Sequence, residues 1–295
     1  MKDVELILVS YHSAAQIAGL LDGLPPDLPV AVVDNANDAD GVSGIIRTRP
    51  HGRYVNSGGG KGYAKAANLG ARTSDHEFIV FGNPDSRPTA TVIEALIEHL
   101  REDPTCGSVS ATTVGHDGRP ELGVGGWEPT LRRILVHALG LHKLFPAAGV
   151  WYPPDDRQAV QREWVSGACM AVRRDLFVRL GGFDERYFVY NEDMAFGRRM
   201  REAGLRQILR GDLRVPHLGG GSGAGSSYMS RMKGASMIAY LRDHHRPVVV
   251  LAMRSALVVG YSLRIIECLL TRRWKRARGF IAYEKGLILG RGALA

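Results

Sequence analysis

VELILVSYHSAAQIAGLLDGLPPDLPVAVVDNAND, residues Val4 to Asp38, decides the fold class of this chain. Val4–Ser10 and Val30–Asn35 are short apolar runs rich in β-branched residues, which is how buried strands read. Between them, within Ser13–Leu24, Ile17, Leu20, Leu21 and Leu24 recur at helical spacing, so the stretch predicts a strand, a helix and a second strand. The alternation continues downstream. Arg53–Asn56 predicts a strand, Tyr63–Arg72 a helix and Phe78–Gly82 a strand, and Thr91–Arg101 predicts an amphipathic helix with Val92, Ile93, Leu96, Ile97 and Leu100 on one face. Strands alternating with helices predict an α/β fold whose mostly parallel sheet is covered by helices on both faces.

A sheet of this kind binds ligands beyond the carboxyl ends of its strands. There the sequence places SYH at 10–12, DNAND at 34–38, NSGGGKG at 56–62 and NPDS at 83–86, all polar or glycine-rich. Asp85 can hold a hard divalent cation against a diphosphate, although Asn-Pro-Asp-Ser is equally good turn chemistry. Asp34 stands where a carboxylate accepts hydrogen bonds from a nucleotide's base or ribose, or closes an Asx turn. The glycine loop with Lys61 suggests a phosphate cradle. Gly58, Gly60 and Gly62 do not make G-x-G-x-x-G, however, and Gly62 stands where a P-loop has Ser or Thr, so neither a dinucleotide fold nor a P-loop NTPase is supported. The loop reads as the opening of the helix that carries Lys65 and Asn68.

The 295 residues are 45% hydrophobic and 23% charged, enough for a core without disulfides or metals and unlike a disordered or fibrous chain. Cys106, Cys169 and Cys268 are odd in number, far apart and outside any CxxC pattern, so a reducing cytoplasm is expected. MKDVELILVS has no basic segment leading into a long apolar core and enters a strand almost at once, which argues against export. The net charge of +8 is local: from Arg242 onward there are eleven Lys/Arg against three Asp/Glu, and the first 241 residues balance. A neutral globular domain over 1–241, its two halves dividing at about residue 115, followed by a basic helical tail over 242–295, is therefore expected.

In the second half, His116–Arg162 mixes Gly, Pro and Trp with a basic amphipathic piece at Leu131–Leu144 and shows no period, which suggests an insertion lining an acceptor site. Order returns with a strand at Trp164–Arg173, short helix Asp175–Leu180, helix Met194–Ala203 ended by Gly204, and a strand up to Val215. Asn191–Glu192–Asp193 delivers paired carboxylates to a helix start, where they serve as a general base or as a cap. His217 is a candidate metal ligand, and Gly219–Ser227 has the composition of a lid. In the tail, Val248–Leu263 is apolar apart from Arg254, after which Arg264 and Glu267 interrupt it. That falls short of the ~20 apolar residues of a spanning helix, so an amphipathic helix on an anionic membrane surface, followed by RRWKRAR at 272–278, is the favoured reading. The same apolar face would also serve a homodimer.

The combination of SYH, VVDNAND, the glycine loop ending in Asn68-Leu69-Gly70, FGNPDS, and SGACMAVRRDLFVRLGGFDERYFVYNED followed by GRRMREAGL resembles family 2 glycosyltransferases of GT-A fold. The likeness runs from Val4 to His217 and is strongest to the bacterial rhamnosyltransferase branch. It implies inverting transfer of a sugar, rhamnose or a related deoxysugar, from a nucleotide-sugar donor such as dTDP-rhamnose to an acceptor hydroxyl on a glycan or lipid-linked precursor. By this resemblance Asp193 is the general base with Glu192 beside it. Ser10, Tyr11, Asp34, Asn35, Lys61, Lys65, Asn68, Asn83 and Asp85 face the donor, and Trp164, Gly167 and Asn191 face the acceptor. Asp85 and His217 hold Mg²⁺ or Mn²⁺. Asn83 departs from the family pattern by replacing the first acid of the D-x-D motif.

A soluble natural product as acceptor would require the same motifs. Two readings from other classes fare worse. A sugar-nucleotide pyrophosphorylase would carry an Arg- and Lys-bearing glycine loop after the first strand, and none follows Val4–Ser10. A non-catalytic membrane- or nucleic-acid-binding module is disfavoured because the first 241 residues have no net positive charge and no nucleic-acid-binding signature, so no nucleic-acid partner is expected. The catalytic reading places the protein in the cytoplasm, on the inner face of the membrane.

Overall fold

The computed structural model describes residues 1–152, 158–218 and 226–290. Along the chain run β1 (Val4–Ser10), α1 (Ala14–Leu21), β2 (Val30–Asp34), α2 (Val42–Arg47), β3 (Gly52–Asn56), α3 (Tyr63–Arg72), β4 (Phe78–Gly82), α4 (Ala90–Glu102), β5 (Cys106–Val114) and β6 (Gly125–Gly126). There follow α5 (Leu131–Ala138), β7 (Ala159–Arg162), β8 (Trp164–Val165), β9 (Cys169–Arg173), α6 (Arg174–Arg179), α7 (Glu192–Glu202), β10 (Arg206–Pro216), α8 (Ser226–His244), α9 (Pro247–Leu270) and α10 (Trp274–Leu289).

The main sheet has the order β3-β2-β1-β4-β9-β5-β10-β7. It is mostly parallel, as the alternating pattern predicts, with β9 and β7 running against their neighbours. Alternate residues of each strand serve opposite faces. Leu6, Leu8, Val30, Val32 and Val80 pack with Ile17, Ile93 and Leu96 of α1 and α4, while Ile7, Val33, Ile79 and Phe81 pack with Ala67, Phe177 and Phe196 of α3, α6 and α7. The expected single strand Trp164–Arg173 is instead broken at Ser166–Ala168: β8 pairs with β6 in a separate two-stranded sheet, and β9 enters the main sheet with Cys169 opposite Gly82. The break sets this three-residue loop beside the residues that follow β4.

The fully buried β5 carries Ser108, Ser110, Thr112 and Thr113. Their hydroxyls donate to Gln207 Oε1, Cys169 O, Arg210 O and Glu121 Oε2 at 3.1, 2.9, 2.9 and 2.8 Å. Each pairing offsets the cost of taking a polar group from water.

The sheet and its helices form one compact unit, Met1–Gly126, Pro153–Phe188 and Glu192–Gly223, and the second comprises Trp127–Tyr152, Val189–Asn191 and Ala224–Ala295. The chain thus crosses between units several times rather than once near residue 241, and part of the 116–162 segment belongs with the C-terminal helices. Within the second unit α8 and α10 meet at glycines: a Cβ on Gly234 would lie 2.1 Å from Tyr283 O, and one on Gly286 2.0 Å from Arg231 O. Helix α9 packs on α5 where Gly260 faces the Ala138 backbone, and Arg264 donates to the carbonyls of His137 and Ala138 at the end of α5. The expected lid at Gly219–Ser227 lies outside the described residues except for Ser226 and Ser227, which open α8.

Candidate active site

The Asn83–Ser86 segment forms the turn that its sequence allows and carries Asp85 within it. Ser86 N–H and Oγ donate to Asn83 O at 3.0 and 2.7 Å, closing the turn. Backbone bonds then fasten it to the end of β10: Arg87 N–H to Pro216 O and Leu218 N–H to Asp85 O, both 2.9 Å. This brings Asp85 Oδ1 to 3.0 Å from His217 Nε2, with Asn83 Nδ2 3.5 Å from the same nitrogen. Glu121, which sequence reading missed, holds the other ring nitrogen, with Oε2 2.8 Å from His217 Nδ1, and is itself fixed by Thr113. Burial opposes a charge on His217, but the hydrogen bonds and negative charges of Asp85 and Glu121 outweigh it and raise its pKa to about 9. In the sequence Glu121 is one of several carboxylates in an irregular segment, with nothing to single it out.

This donor set fits a hard divalent cation. One carboxylate oxygen and one imidazole nitrogen converge while a second carboxylate orients the ring, the outer partner a metal-ligating histidine usually has. Two protein ligands leave positions for diphosphate oxygens and water, as suits a cation held largely by phosphate. Among the described residues, His99, Asp103 and Cys106 also bring three ligand atoms together, but at the opposite end of β5, where Asp103 is already bound by Thr105 and Arg206.

At the end of β1, Ser10 is buried, its Oγ 3.0 Å from Ser13 Oγ and its carbonyl accepting Asn35 N–H at 2.8 Å, while Tyr11 is 43% exposed. Asp34 is fully buried: Oδ1 accepts Ala36 N–H at 2.8 Å, and Oδ2 accepts Asp38 N–H and Tyr54 Oη–H, the latter at 2.9 Å. These bonds shape the turn after β2, the Asx role named above. Asn35 clasps the glycine loop, donating from Nδ2 to Gly62 O at 2.9 Å and accepting Ser57 Oγ–H at 2.5 Å, while Gly60 N–H bonds Asn35 O at 2.9 Å. Gly62 has φ 80°, and a Cβ there would lie 2.4 Å from Phe188 O, so only glycine fits. Lys61 and Lys65 are exposed at the loop and on α3.

The Ser166–Ala168 break links the two carboxylate sites. Ala168 O accepts Asn83 N–H at 3.0 Å, and the neighbouring Gly167 N–H donates to the Asp193 carboxylate in the first turn of α7. Asp193 Oδ1 also accepts Met194 N–H at 2.8 Å. Burial outweighs both bonds and pushes the Asp193 pKa up to about 6. Glu192 lies deeper, at 7% exposed, and among the described residues its Oε2 has no hydrogen-bond partner. Burial, followed by the Asp193 charge, drives its pKa well upward. Tyr63, at the start of α3, lies in the electrostatic reach of both carboxyls, and its hydroxyl donates to Gly167 O at 3.3 Å. Sequence reading missed it, although its place directly after the glycine loop was a usable signal.

Three expected site residues stand in structural settings. Asn68 was assigned to the donor, but its Oδ1 accepts Phe183 N–H at 2.7 Å and its Nδ2 donates to Phe183 O and Glu185 Oε1 at 2.8 and 3.0 Å. It therefore pins the segment leading toward Glu192 and Asp193 onto α3. Trp164, assigned to the acceptor, is 3% exposed, and the backbone of α7 approaches it so closely that a Cβ on Gly197 would lie 2.7 Å from Trp164 Cβ. Asn191 is buried with left-handed φ 68° and groups with the second unit, while Glu192 begins the next stretch of the first.

Comparison with known proteins converges on sugar transfer. The model of Glycosyl transferase family 2 matches residues 6–151. An N-acetylglucosaminyl-diphospho-decaprenol L-rhamnosyltransferase of Mycobacterium tuberculosis is 26% identical over 90% of this chain and 95% of its own length. Among solved structures, the mannosyltransferase PcManGT from Pyrobaculum calidifontis, in complex with GDP-Man and Mn²⁺, aligns over 95% of this chain and 85% of its own at TM-score 0.61 and 20% identity. GalNAc-T7 with UDP, GalNAc and Mn²⁺ aligns over 79% of this chain at TM-score 0.56 and 12% identity, and this chain spans 47% of its length.

Proposed function

With the chain a glycosyl transferase family 2 enzyme of GT-A fold that resembles bacterial rhamnosyltransferases, we propose that it moves rhamnose or a related deoxysugar from a nucleoside-diphosphate donor, such as dTDP-rhamnose, to a hydroxyl of a lipid-linked diphospho-sugar, with inversion at the anomeric carbon. The carrying observation is the Ser166–Ala168 loop, which fastens Asn83 through Ala168 O and the Asp193 carboxylate through Gly167 N–H. Inverting transfer needs a base for the acceptor proton and a counter-charge for the departing diphosphate, and one rigid loop registers the two.

Asp193 is the base. A pKa of about 6 leaves it ionised at neutral pH yet far more basic than an ordinary carboxylate, so it accepts the acceptor's hydroxyl proton as the new glycosidic bond forms. Asp85 and His217 would hold Mg²⁺ or Mn²⁺, with Glu121 fixing the ring. When bound, the cation supplies positive charge to the diphosphate leaving group. Lys61 and Lys65 add charge on the donor side. The lipid-linked acceptor rests on the mycobacterial relative and on the second unit's exposed apolar surface, which suits a protein held peripherally at the inner face of the membrane.

The test is transfer from a panel of nucleotide sugars to a synthetic polyprenyl-diphospho-N-acetylglucosamine, with anomeric configuration read by NMR. Rhamnosylated product of inverted configuration is expected from dTDP-rhamnose. Retention of configuration would overturn the base assignment, and transfer confined to soluble acceptors would overturn the lipid-linked one.

A further inference from the structure

The start of α9 forms one end of a groove in the second unit that no catalytic argument uses. A cleft of about 430 Å³ is lined by Arg242, His245, Pro247, Val250, Leu251 and Arg254. A second, of about 340 Å³, shares Leu251 and Arg254 and continues along α9 past Val258 and Val259 to Ile288 of α10. One end is thus cationic and the other apolar, and no carboxylate lines either.

The cationic end is short of partners. Among the described residues, His245 Nε2 is buried without a hydrogen-bond partner, and Arg242 makes no hydrogen bond or ion pair. Arg254 donates to Ile288 O at 2.6 Å, which leaves its remaining N–H groups for a ligand. No side chain caps α9, while Val249 and Val250 N–H are taken by Arg246 O. Two guanidiniums and an imidazole around one cleft are chemistry for a phosphate. The apolar end opens on a stripe where Val248, Leu251 and Val259 are 71%, 63% and 59% exposed, surface that suits hydrocarbon better than water.

We propose that this groove binds one anionic phospholipid, its phosphate between Arg242, His245 and Arg254 and an acyl chain along Leu251, Val258, Val259 and Ile288. The charge complementarity of the cationic end and its continuity with the exposed stripe select a lipid of the bilayer over a soluble phosphate or a second protein chain. The inference rests on the peripheral membrane reading above and adds to it a discrete site, distinct from the diffuse attraction of the 272–278 basic run.

Two arms test it on the full-length protein. In the first, binding to vesicles of phosphatidylcholine with and without phosphatidylglycerol is compared for Arg242→Gln/Arg254→Gln and for Arg272→Gln/Arg273→Gln, which remove equal charge. The groove variant should lose about tenfold more affinity than the control, the loss of a matched charge-assisted contact. Equal losses would overturn the site while leaving membrane association standing, and wild-type protein that ignores all vesicles would overturn both. In the second arm, native mass spectrometry with dihexanoyl-phosphatidylglycerol should show one bound lipid in wild type, less in Arg242→Gln and recovery in Arg242→Lys, a series that does not depend on altering Arg254. Preference for polyprenyl phosphate over phosphatidylglycerol, or a dimer that excludes the lipid, would overturn the assigned occupant.

Discussion

The two units solve opposite problems. In the sheet unit, polar side chains go inside and take specific partners, with Glu192 Oε2 among the exceptions. Asp34 shapes a turn, Asn68 uses both ends of its amide on one loop, and the hydroxyls of β5 reach partners on adjacent strands. In the helical unit, apolar side chains remain outside: Leu251, Leu263 and Leu270 are 63%, 57% and 80% exposed on α9, and Leu139 and Leu144 are 68% and 74% exposed after or at the end of α5. Helix α9 is therefore apolar on two faces, one spent on α5 and α10 and the other outward, rather than amphipathic in the ordinary sense. Buried polarity positions chemistry, whereas exposed apolarity marks a surface meant to leave water.

Substitutions break this comparison in graded ways. The largest effect is expected for Asp193→Asn, which should lower kcat by about 10²–10⁴-fold while nucleotide binding measured by calorimetry stays near wild type. Its melting temperature at pH 7.5 should rise, because the raised pKa means that the folded state resists ionisation of this group. Next comes Asp85→Ala, which should cost about 10²-fold in activity at limiting Mn²⁺ or Mg²⁺. Activity untouched by both this change and EDTA would remove the cation from the account. Glu121→Gln should weaken metal activation by about 10-fold, seen as a shift of the titration midpoint.

Smaller still are changes that touch only folding. Asn68→Ala strands the Phe183 amide and carbonyl and should cost about 1–3 kcal/mol in urea unfolding. Leu251→Ser and Leu263→Ser should move stability by no more than about 0.5 kcal/mol, since both are already exposed, yet lower vesicle capture. A large loss of stability from the last pair would show that the outward stripe is packed in solution and would erase the contrast between the units.

Where a single residue pattern set the structure, the sequence was legible. From β1 through α4 the expected elements agree with the observed ones to within a few residues, because alternating apolar runs and helical spacing leave few choices, and only the short α2 was not anticipated. Strand β5 escaped because CGSVSATTV reads as polar, and its burial depends on acceptors contributed by segments far along the chain. Helix α8 escaped because it follows a glycine- and serine-rich run and is buried through glycine contacts with α10, which carry no periodic signal. In the candidate site, Asp85, His217 and Asp193 stand out in the sequence as titratable groups at strand and helix ends. Glu121 and Tyr63 do not, and Gly167, expected to face the acceptor, gives its amide to Asp193, since each takes its place from a neighbour supplied by the fold. Asn68 shows the converse, a polar residue in the right region whose every bond is structural.

The central claim is that Asp193 takes the acceptor proton, and the pH dependence of kcat/KM tests it most directly. With its pKa at about 6, Asp193 is increasingly protonated below that pH and cannot act as a base. The account predicts a rate that rises about tenfold per pH unit from pH 4.5 toward 6 and levels above it, with the limb lost in Asp193→Asn. A profile flat from pH 4.5 to 8, or one that breaks near 4 in both proteins, would contradict it.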